Sequence, residues 1–307
     1  MKQTTGKGKQ WLMLPVVLLF LCACGTQKQT VEMSSEVYEL PQNCEELTVT
    51  ADVGSVFIQK GEKAELKTEH VVSQWLTVTE ENGVVTISYI PPDEEAVEGM
   101  DTDSHHLMLT LPEDWMPEKA VLTAGTGPFY VDGAEAKELF LHQGAGQMML
   151  KHVTAENLEL ECGGDLAEGE HLQVAKSLTI HGGMGNVDFA GSLGEKILLD
   201  GGTGKISLTM PETAENYDIS GSFFTRNVTV NGKTLEPEVS VEQNDGDLDS
   251  WEMEFDEDFT VPQQKTQKKK QKKKQKKKQK KKQIYIDGGT GEIALTFAGN
   301  AEKGATA

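Results

Sequence analysis

The chain is dominated by one short pattern, in which apolar and polar residues alternate on both sides of a glycine-rich corner. Its clearest copy, ILLDGGTGKISL, spans residues 197–208, and IYIDGGTGEIAL at residues 284–295 is nearly identical. Alternation with a period of two predicts a β-strand with one buried face. Each copy therefore predicts two short strands that meet at a bend. Weaker copies are found at residues 47–58, 120–131, 139–150 and 178–189.

The copies recur at an almost constant spacing. Aligned on one glycine of the corner, they follow at steps of 19, 19, 20, 19 and 19 residues, at Gly125, Gly144, Gly163, Gly183, Gly202 and Gly221. A fixed period of this size is typical of stacked-repeat proteins. It predicts an all-β, parallel β-solenoid (β-helix) with one copy per rung and rungs about 4.8 Å apart. We expect the glycines to provide a bend with positive φ, which residues with a Cβ resist.

Equivalent positions of the copies carry the same kind of residue, which predicts ladders of side chains that face inward. Three residues before the aligned glycine stand Leu122, Leu141, Leu160, Ile180, Leu199 and Ile286, and four residues after it stand Phe129, Met148, Ala167, Val187, Ile206 and Ile293. The alternative is an antiparallel meander in which each GGTG forms a hairpin turn. We favour the solenoid, because a meander does not require equivalent residues to match at a constant step.

The composition changes along the chain and divides it into segments. They are a leader (residues 1–23), a tether (24–46), the solenoid (47–241), an insert (242–283), a final rung (284–297) and a tail (298–307). The tether is polar and has no sustained period. The solenoid opens with a less regular, strand-rich N-terminal lobe. The insert is first acidic and then rich in Lys and Gln, and like charges at that density predict disorder.

The leader predicts export and a lipid anchor. It has a basic start and an apolar run too short to cross a bilayer comfortably. The run ends at Leu21, Cys22 and Ala23 before Cys24, which resembles the lipobox of bacterial lipoproteins. This resemblance implies cleavage before Cys24, diacylglycerol on its sulfur and a position on the outer face of the cell membrane. The alternatives are an ordinary signal peptide that is cleaved nearby, or an uncleaved anchor.

Charge is distributed unevenly. The formal net charge is −20, yet thirteen lysines lie in the single run from Lys265 to Lys282, so the remainder is strongly acidic. An acidic surface argues against nucleic acid as a partner. The lysine run could contact a polyanion, such as a wall polymer or anionic lipid, or it is a simple-sequence insert without a fixed role. Cys44 and Cys162 are expected to be unpaired or buried thiols, although export would permit a disulfide.

Few residues are arranged for chemistry. An outward column of Thr123, His142, Glu161, His181, Asp200 and Asp287 could hold a metal ion, but the sequence favours a polar outer face. Asp245, Asp247 and Asp249 have the alternate spacing that opens a calcium loop, but Ser250 stands where that loop needs glycine. His105 and His106, near Asp101 and Asp103, are interpreted as loop surface. No catalytic motif and no cofactor site is predicted, so a glycan-active enzyme is a remote alternative.

The repeats IYIDGGTGEIAL, ILLDGGTGKISL and LTIHGGMGNVDF resemble those of bacterial putative-adhesin domains of unknown function. The resemblance covers roughly residues 45–235 and 284–297, and the lysine run departs from it. It implies a right-handed β-solenoid that is associated with the cell surface, and it transfers no catalytic residue. The expected function is a lipid-anchored, non-catalytic binding, adhesion or scaffold module with a protein or glycan partner. The alternative is a component of an envelope-stress response that acts through a membrane partner.

Overall fold

The computed structural model describes residues 32–223, 227–235 and 281–299. This part of the chain is all-β, with short 3-10 turns at Ser73–Trp75, Glu94–Val97, Thr102–Ser104 and Ala214–Asn216 and no α-helix. None of these turns is long or apolar enough to cross a membrane. The strands are β1 Met33–Ser34, β2 Val37–Glu39, β3 Glu46–Ala51, β4 Ser55–Gly61, β5 Glu65–Glu69, β6 Val71–Val72, β7 Leu76–Glu81, β8 Val84–Tyr89, β9 His106–Pro112, β10 Lys119–Ala124, β11 Phe129–Asp132, β12 Glu135–Gln143, β13 Met148–Lys151, β14 Thr154–Cys162, β15 Ala167–Gly182, β16 Val187–Leu193, β17 Lys196–Asp200, β18 Ile206–Met210, β19 Tyr217–Ser222, β20 Val228–Val230, β21 Lys233–Thr234, β22 Lys282–Asp287 and β23 Ile293–Phe297.

The strands stack into two long parallel ladders, as a solenoid requires. The first ladder runs in space through β8, β3, β10, β12, β14, the end of β15, β17, β22 and β19. The second ladder runs through β9, β4, β11, β13, the start of β15, β16, β18, β23 and β20. A third, short ladder joins the starts of β12 and β14 to the middle of β15 and the end of β16. Because the paired repeat strands are parallel, the antiparallel meander is excluded.

The predicted inward columns form the core. Leu122 lies opposite Leu141, which lies opposite Leu160, and this apolar column continues through Ile180, Leu199 and Ile286. All of its members are at most 1% exposed, so each rung is closed by its neighbours. The second strand of the copy at residues 158–169 forms the start of β15, although Gly169 stands where the neighbouring copies carry Leu150 and Phe189. There Phe189 fills the space above Gly169, where an added Cβ would stand 2.7 Å from the Phe189 ring.

The corner glycines are needed for close contact rather than for positive φ. Of the aligned glycines, only Gly221 has positive φ, so the expectation is wrong for the corner itself. A Cβ on Gly144 would instead stand 2.5 Å from the carbonyl oxygen of Gly125 in the rung below. The amide of Ala145 donates to that same oxygen at 2.8 Å. Equivalent overlaps with main-chain atoms of the neighbouring rung occur at Gly125, Gly127, Gly146, Gly163, Gly183, Gly185, Gly202, Gly204, Gly289 and Gly291.

The last rung in the sequence is not the last rung in space. Strand β22 pairs with β17 on one side and with β19 on the other, and β23 lies between β18 and β20 in the same way. The final rung thus separates two rungs that follow each other along the chain. Gly221 consequently lies opposite Ile286 and not at a corner, so its alignment with Gly202 is wrong.

The N-terminal end has the same interleaved order and is closed by antiparallel strands. Strands β3 and β4 lie between the rung of β8 and β9 and the rung of β10 and β11. Beyond them, β7 pairs antiparallel with β8, β5 with β9, and β2 with β5. The segment interpreted as a tether therefore contains β1 and β2, because the open edge of β5 and the short strand β6 supply hydrogen-bonding partners.

We predict that Gly183→Ala destabilises the fold, because its Cβ would overlap the carbonyl oxygens of Cys162 and Gly163. Overpacking of this kind costs about 1–3 kcal/mol of unfolding free energy. Gly164→Ala is the matched control at the same corner, where the nearest atom is the Met184 methyl at 3.9 Å. Urea denaturation of both variants is the measurement. Equal midpoints would contradict the close-contact role of the corner.

Candidate ligand-binding face

The outward column predicted from the sequence is present on the first ladder. Thr123, His142, Glu161, His181, Asp200 and Asp287 lie opposite one another on successive strands. His142 Nδ1 is 3.4 Å from Glu161 Oε2, and His181 Nδ1 is 3.3 Å from Asp200 Oδ2. His181 Nε2 also lies 3.7 Å from Glu159 on the neighbouring column. The column is thus a chain of adjacent imidazoles and carboxylates along a flat, solvent-facing strip.

No group of three or more His, Cys, Asp or Glu side chains in the described ranges is placed to hold a metal ion. The register explains this within the column, since a side chain lies close only to the members directly before and after it in the column. Alternate members are separated by two strand spacings, about 10 Å, which is too far for one ion to bridge.

A second column beside the first adds apolar surface. It consists of Val121, Phe140, Glu159, Thr179, Leu198 and Tyr285. Phe140 is partly exposed, and the Lys119 ammonium lies 5.5 Å from its ring centre. Tyr285 is 46% exposed at the far end of the same column. A shallow depression of about 230 Å³ lies between the two columns at their start, lined by Lys119, Val121, Thr123, Phe140, Leu141, His142, Glu159 and Glu161.

This depression combines an aromatic surface, one ammonium group and two carboxylates on rigid strands. Ligand sites typically offer apolar area together with a few fixed polar groups, and the depression has this composition in a shallow form. It suits a contact with an extended ligand that lies across several rungs. We define these two columns, with Lys119, as the first-ladder face.

His105 is wrongly interpreted as loop surface. It is fully buried in the N-terminal part of the fold, and its Nδ1 is 2.8 Å from the Tyr89 hydroxyl. That hydroxyl accepts a hydrogen bond from the Val72 amide at 3.1 Å, so it is free to donate to His105. Burial lowers the pKa of His105 below its ordinary value of 6.5. His106, by contrast, is partly exposed and lies 3.6 Å from Glu69.

Two further histidines have a partner that sequence reasoning missed. His152 and His171 have positive φ, and their rings stack on each other at the corner that follows the second ladder. The signal was available, because the two residues are separated by one repeat period.

Cys44 and Cys162 are free thiols, as expected. Cys162 is buried opposite Gln143 on one side and Gly182 on the other, in an inward column of the corner. Burial raises the pKa of Cys44 to about 11 and that of Cys162 to about 12. At neutral pH both are therefore protonated and unreactive.

Several predicted sites lie outside the described residues. These are Cys24, the acidic Asp245, Asp247 and Asp249, and the lysine run before Lys281. The end of the run is described. Lys281 is paired with Asp218 at 3.1 Å, and Lys282 with Glu212 at 2.7 Å. These contacts attach the start of β22 to the preceding part of the chain.

Comparison with known proteins finds a matching family model and several similar solved structures. The family model described as Toastrack DUF4097 matches residues 44–296. A putative adhesin from Bacteroides fragilis is similar at 10% identity and a TM-score of 0.41, over 86% of this chain and 97% of that one. A putative cell adhesion protein from Clostridium sporogenes is similar at 13% identity and a TM-score of 0.36, over 87% of this chain and 100% of that one. No curated protein matches the chain.

We predict that acid destabilises the fold through His105. The unfolded chain binds a proton near pH 6.5, whereas the buried imidazole resists protonation, so stability falls as the pH drops below that value. For the uptake of one proton, the unfolding free energy falls by at most about 1.4 kcal/mol per pH unit. His105→Asn should flatten the dependence of the unfolding free energy between pH 7 and pH 5. His106→Asn is the control and should keep it. Identical pH profiles for His105→Asn and the unchanged chain would contradict this role.

Proposed function

The chain belongs to the Toastrack DUF4097 family, and we propose that it is a non-catalytic adhesion or scaffold module held at the cell surface by a lipid. The observation that carries this proposal is the first-ladder face. It presents half-exposed aromatic and apolar side chains beside a column of imidazoles and carboxylates, on a backbone made rigid by parallel pairing. Such a surface can bind a partner over several rungs without any change in its own shape.

The architecture that we propose for the module is a right-handed solenoid with rungs of 19–20 residues. The register of the first ladder supports it, since Lys119 pairs with Glu138, Glu138 with Asn157, Asn157 with Ser177 and Ser177 with Lys196. Parallel crossover connections are right-handed in about 98% of cases.

The proposed anchor is Cys24. The run before it ends in Leu21, Cys22 and Ala23, with a small residue directly before the cysteine. Two or three acyl chains would hold the protein stably at a membrane, whereas one chain would not. The solenoid would then stand on the extracytoplasmic face, with residues 25–32 between the lipid and the first strand.

The ligand that the first-ladder face fits is an extended envelope polymer or an extended protein segment. Phe140 supplies an aromatic surface for apolar CH groups, and Lys119 supplies a cation directly above its ring. Glu159 and Glu161 add hydrogen-bond acceptors on the next rung. The depression is shallow, so affinity would come from contacts repeated along the columns rather than from enclosure of a small molecule.

We predict that Cys24→Ser moves the protein from the membrane to the soluble extracytoplasmic fraction, because the sulfur that carries the diacylglycerol is lost. Fractionation and intact mass spectrometry of the mature protein are the measurements. Cys22→Ser is the matched control and should retain the anchor. An N-terminus at Cys24 that carries diacylglycerol supports the proposal. An unmodified N-terminus elsewhere would contradict the anchor and leave the binding face to be tested separately.

We predict that a photoreactive amino acid at Phe140 cross-links the protein to an envelope partner in intact cells. The same substitution at Tyr130 is the control, because Tyr130 is a partly exposed aromatic residue on the outer side of the second ladder, stacked on Phe57 at 5.1 Å. Adducts at position 140 that fail to form at position 130 support the first-ladder face. Lys119→Ala should weaken the contact about tenfold, as loss of a central interface side chain does. Equal labelling at both positions, or none at either, would contradict the proposal.

A further inference from the structure

His152 and His171 are brought together by the repeat itself. Lys151 lies opposite Glu170 in the second ladder, so the next residue of each rung, His152 or His171, reaches the same corner. The two imidazole rings are parallel to within 1°, with centroids 5.2 Å apart. Both side chains face solvent. The pair is thus an exposed two-imidazole cluster on a fixed backbone.

The backbone conformation at this corner is one that favours glycine over histidine. His152 has a φ of 50° and His171 a φ of 58°, in the left-handed region that glycine adopts without cost. The equivalent residue of the preceding rung, Gly133, has a φ of 81°. Two exposed histidines therefore hold an unfavourable conformation where another rung uses glycine. Strained positions of this kind cluster at functional sites, so the imidazoles require a reason of their own.

Asp132 accepts a hydrogen bond from the ring of His152 and so sets its tautomer. Its Oδ1 atom is 2.9 Å from His152 Nδ1. A carboxylate at this distance accepts a hydrogen bond from Nδ1–H, and the neutral ring then carries its lone pair on Nε2. This is the carboxylate–histidine arrangement that commonly supports a metal-ligating imidazole.

We propose that His152 and His171 bind one divalent transition-metal ion of the zinc, copper(II) or nickel(II) type through their free ring nitrogens. Imidazole is a preferred ligand of these ions and not of calcium or magnesium. Metal–nitrogen bonds of about 2.0–2.1 Å require the two nitrogens to lie within about 4 Å of each other. Because each nitrogen lone pair lies in the plane of its ring and the two planes are parallel, both rings must also rotate out of the stack so that the lone pairs converge on the ion. The His152 side chain is 62% exposed and has the space to do so.

The surrounding charges fit a cation. The Asp132 carboxylate lies beside His152, and Glu170 directly precedes His171. Lys151, which directly precedes His152, is paired with Glu170 at 3.0 Å. Because only two protein nitrogens bind the ion, water or a donor from a partner completes its coordination. This corner is separate from the first-ladder face, so the proposal stands or falls independently of the proposed function.

The test is copper(II) and zinc(II) binding to the full chain in detergent after treatment with a chelator. Electron paramagnetic resonance of one equivalent of copper(II) should show hyperfine coupling to two imidazole nitrogens. His152→Asn and His171→Asn each tolerate the left-handed conformation and should each remove one nitrogen from the spectrum. Asp132→Asn should keep both nitrogens and lower the zinc affinity by about tenfold to hundredfold in calorimetry.

His106→Asn is the matched control, because His106 is a partly exposed histidine that lies 3.6 Å from the Glu69 carboxylate and belongs neither to this corner nor to the first-ladder face. It should leave the spectrum and the zinc affinity unchanged. Binding that survives the double replacement of His152 and His171 would overturn the proposal. Absence of any nitrogen-coupled copper signal from the unchanged chain would overturn it as well.

Discussion

The direct contact of main chain on main chain at the glycine corner sets the geometry on which every other feature depends. Two columns of glycine let the backbone of each rung lie against the backbone of the next, with amide and carbonyl groups still paired across the contact. At most positions of either column an added Cβ would overlap main-chain atoms of the neighbouring rung, although Asp165 occupies one position of the second column. Because the strands on both sides of the corner leave it in parallel register, the inward and the outward columns are both set by this contact. The side chains between the corners can then vary with little effect on the stack.

The sequence predicts which residues of each strand point into the core, but it does not predict the order of the rungs in space. Alternation determines which residues point inward, and Leu199 and Ile286 were placed correctly for that reason. The order of neighbours depends on which rungs share an edge, and ILLDGGTGKISL would pair equally well with several copies. Alignment by position in the sequence therefore assigned Gly221 to the wrong site. In space, β22 and β23 lie between the rung of β17 and β18 and the rung of β19 and β20.

The candidate sites show the same difference: residues that follow the repeat could be predicted, whereas residues judged only from their neighbours in sequence could not. The column from Thr123 to Asp287 follows from the repeat and was found. His105 was misread because its neighbours in sequence are acidic, although it has the same parity as the buried Leu107, Leu109 and Leu111 of β9. His152 and His171 are one repeat period apart, but they lie outside the glycine motif, so the motif alone does not predict that they stack. Cys24 and the three aspartates that begin at Asp245 lie beyond the described residues, so they remain predictions from sequence.

The interleaved final rung has a consequence for the order in which the protein can be made. During synthesis, residues 196–222 leave the ribosome well before residues 282–297, yet β17 and β19 are joined through β22, which pairs with both. Strands β17 and β19 therefore find this shared partner only after residues 282–287 have been synthesised. A chain that ends before β22 would leave one edge of β17 and one edge of β18 unpaired, whereas β22 and β23 close both edges together. The rung of β19 and β20 thus joins the stack through β22 and β23, the strands that are made after it.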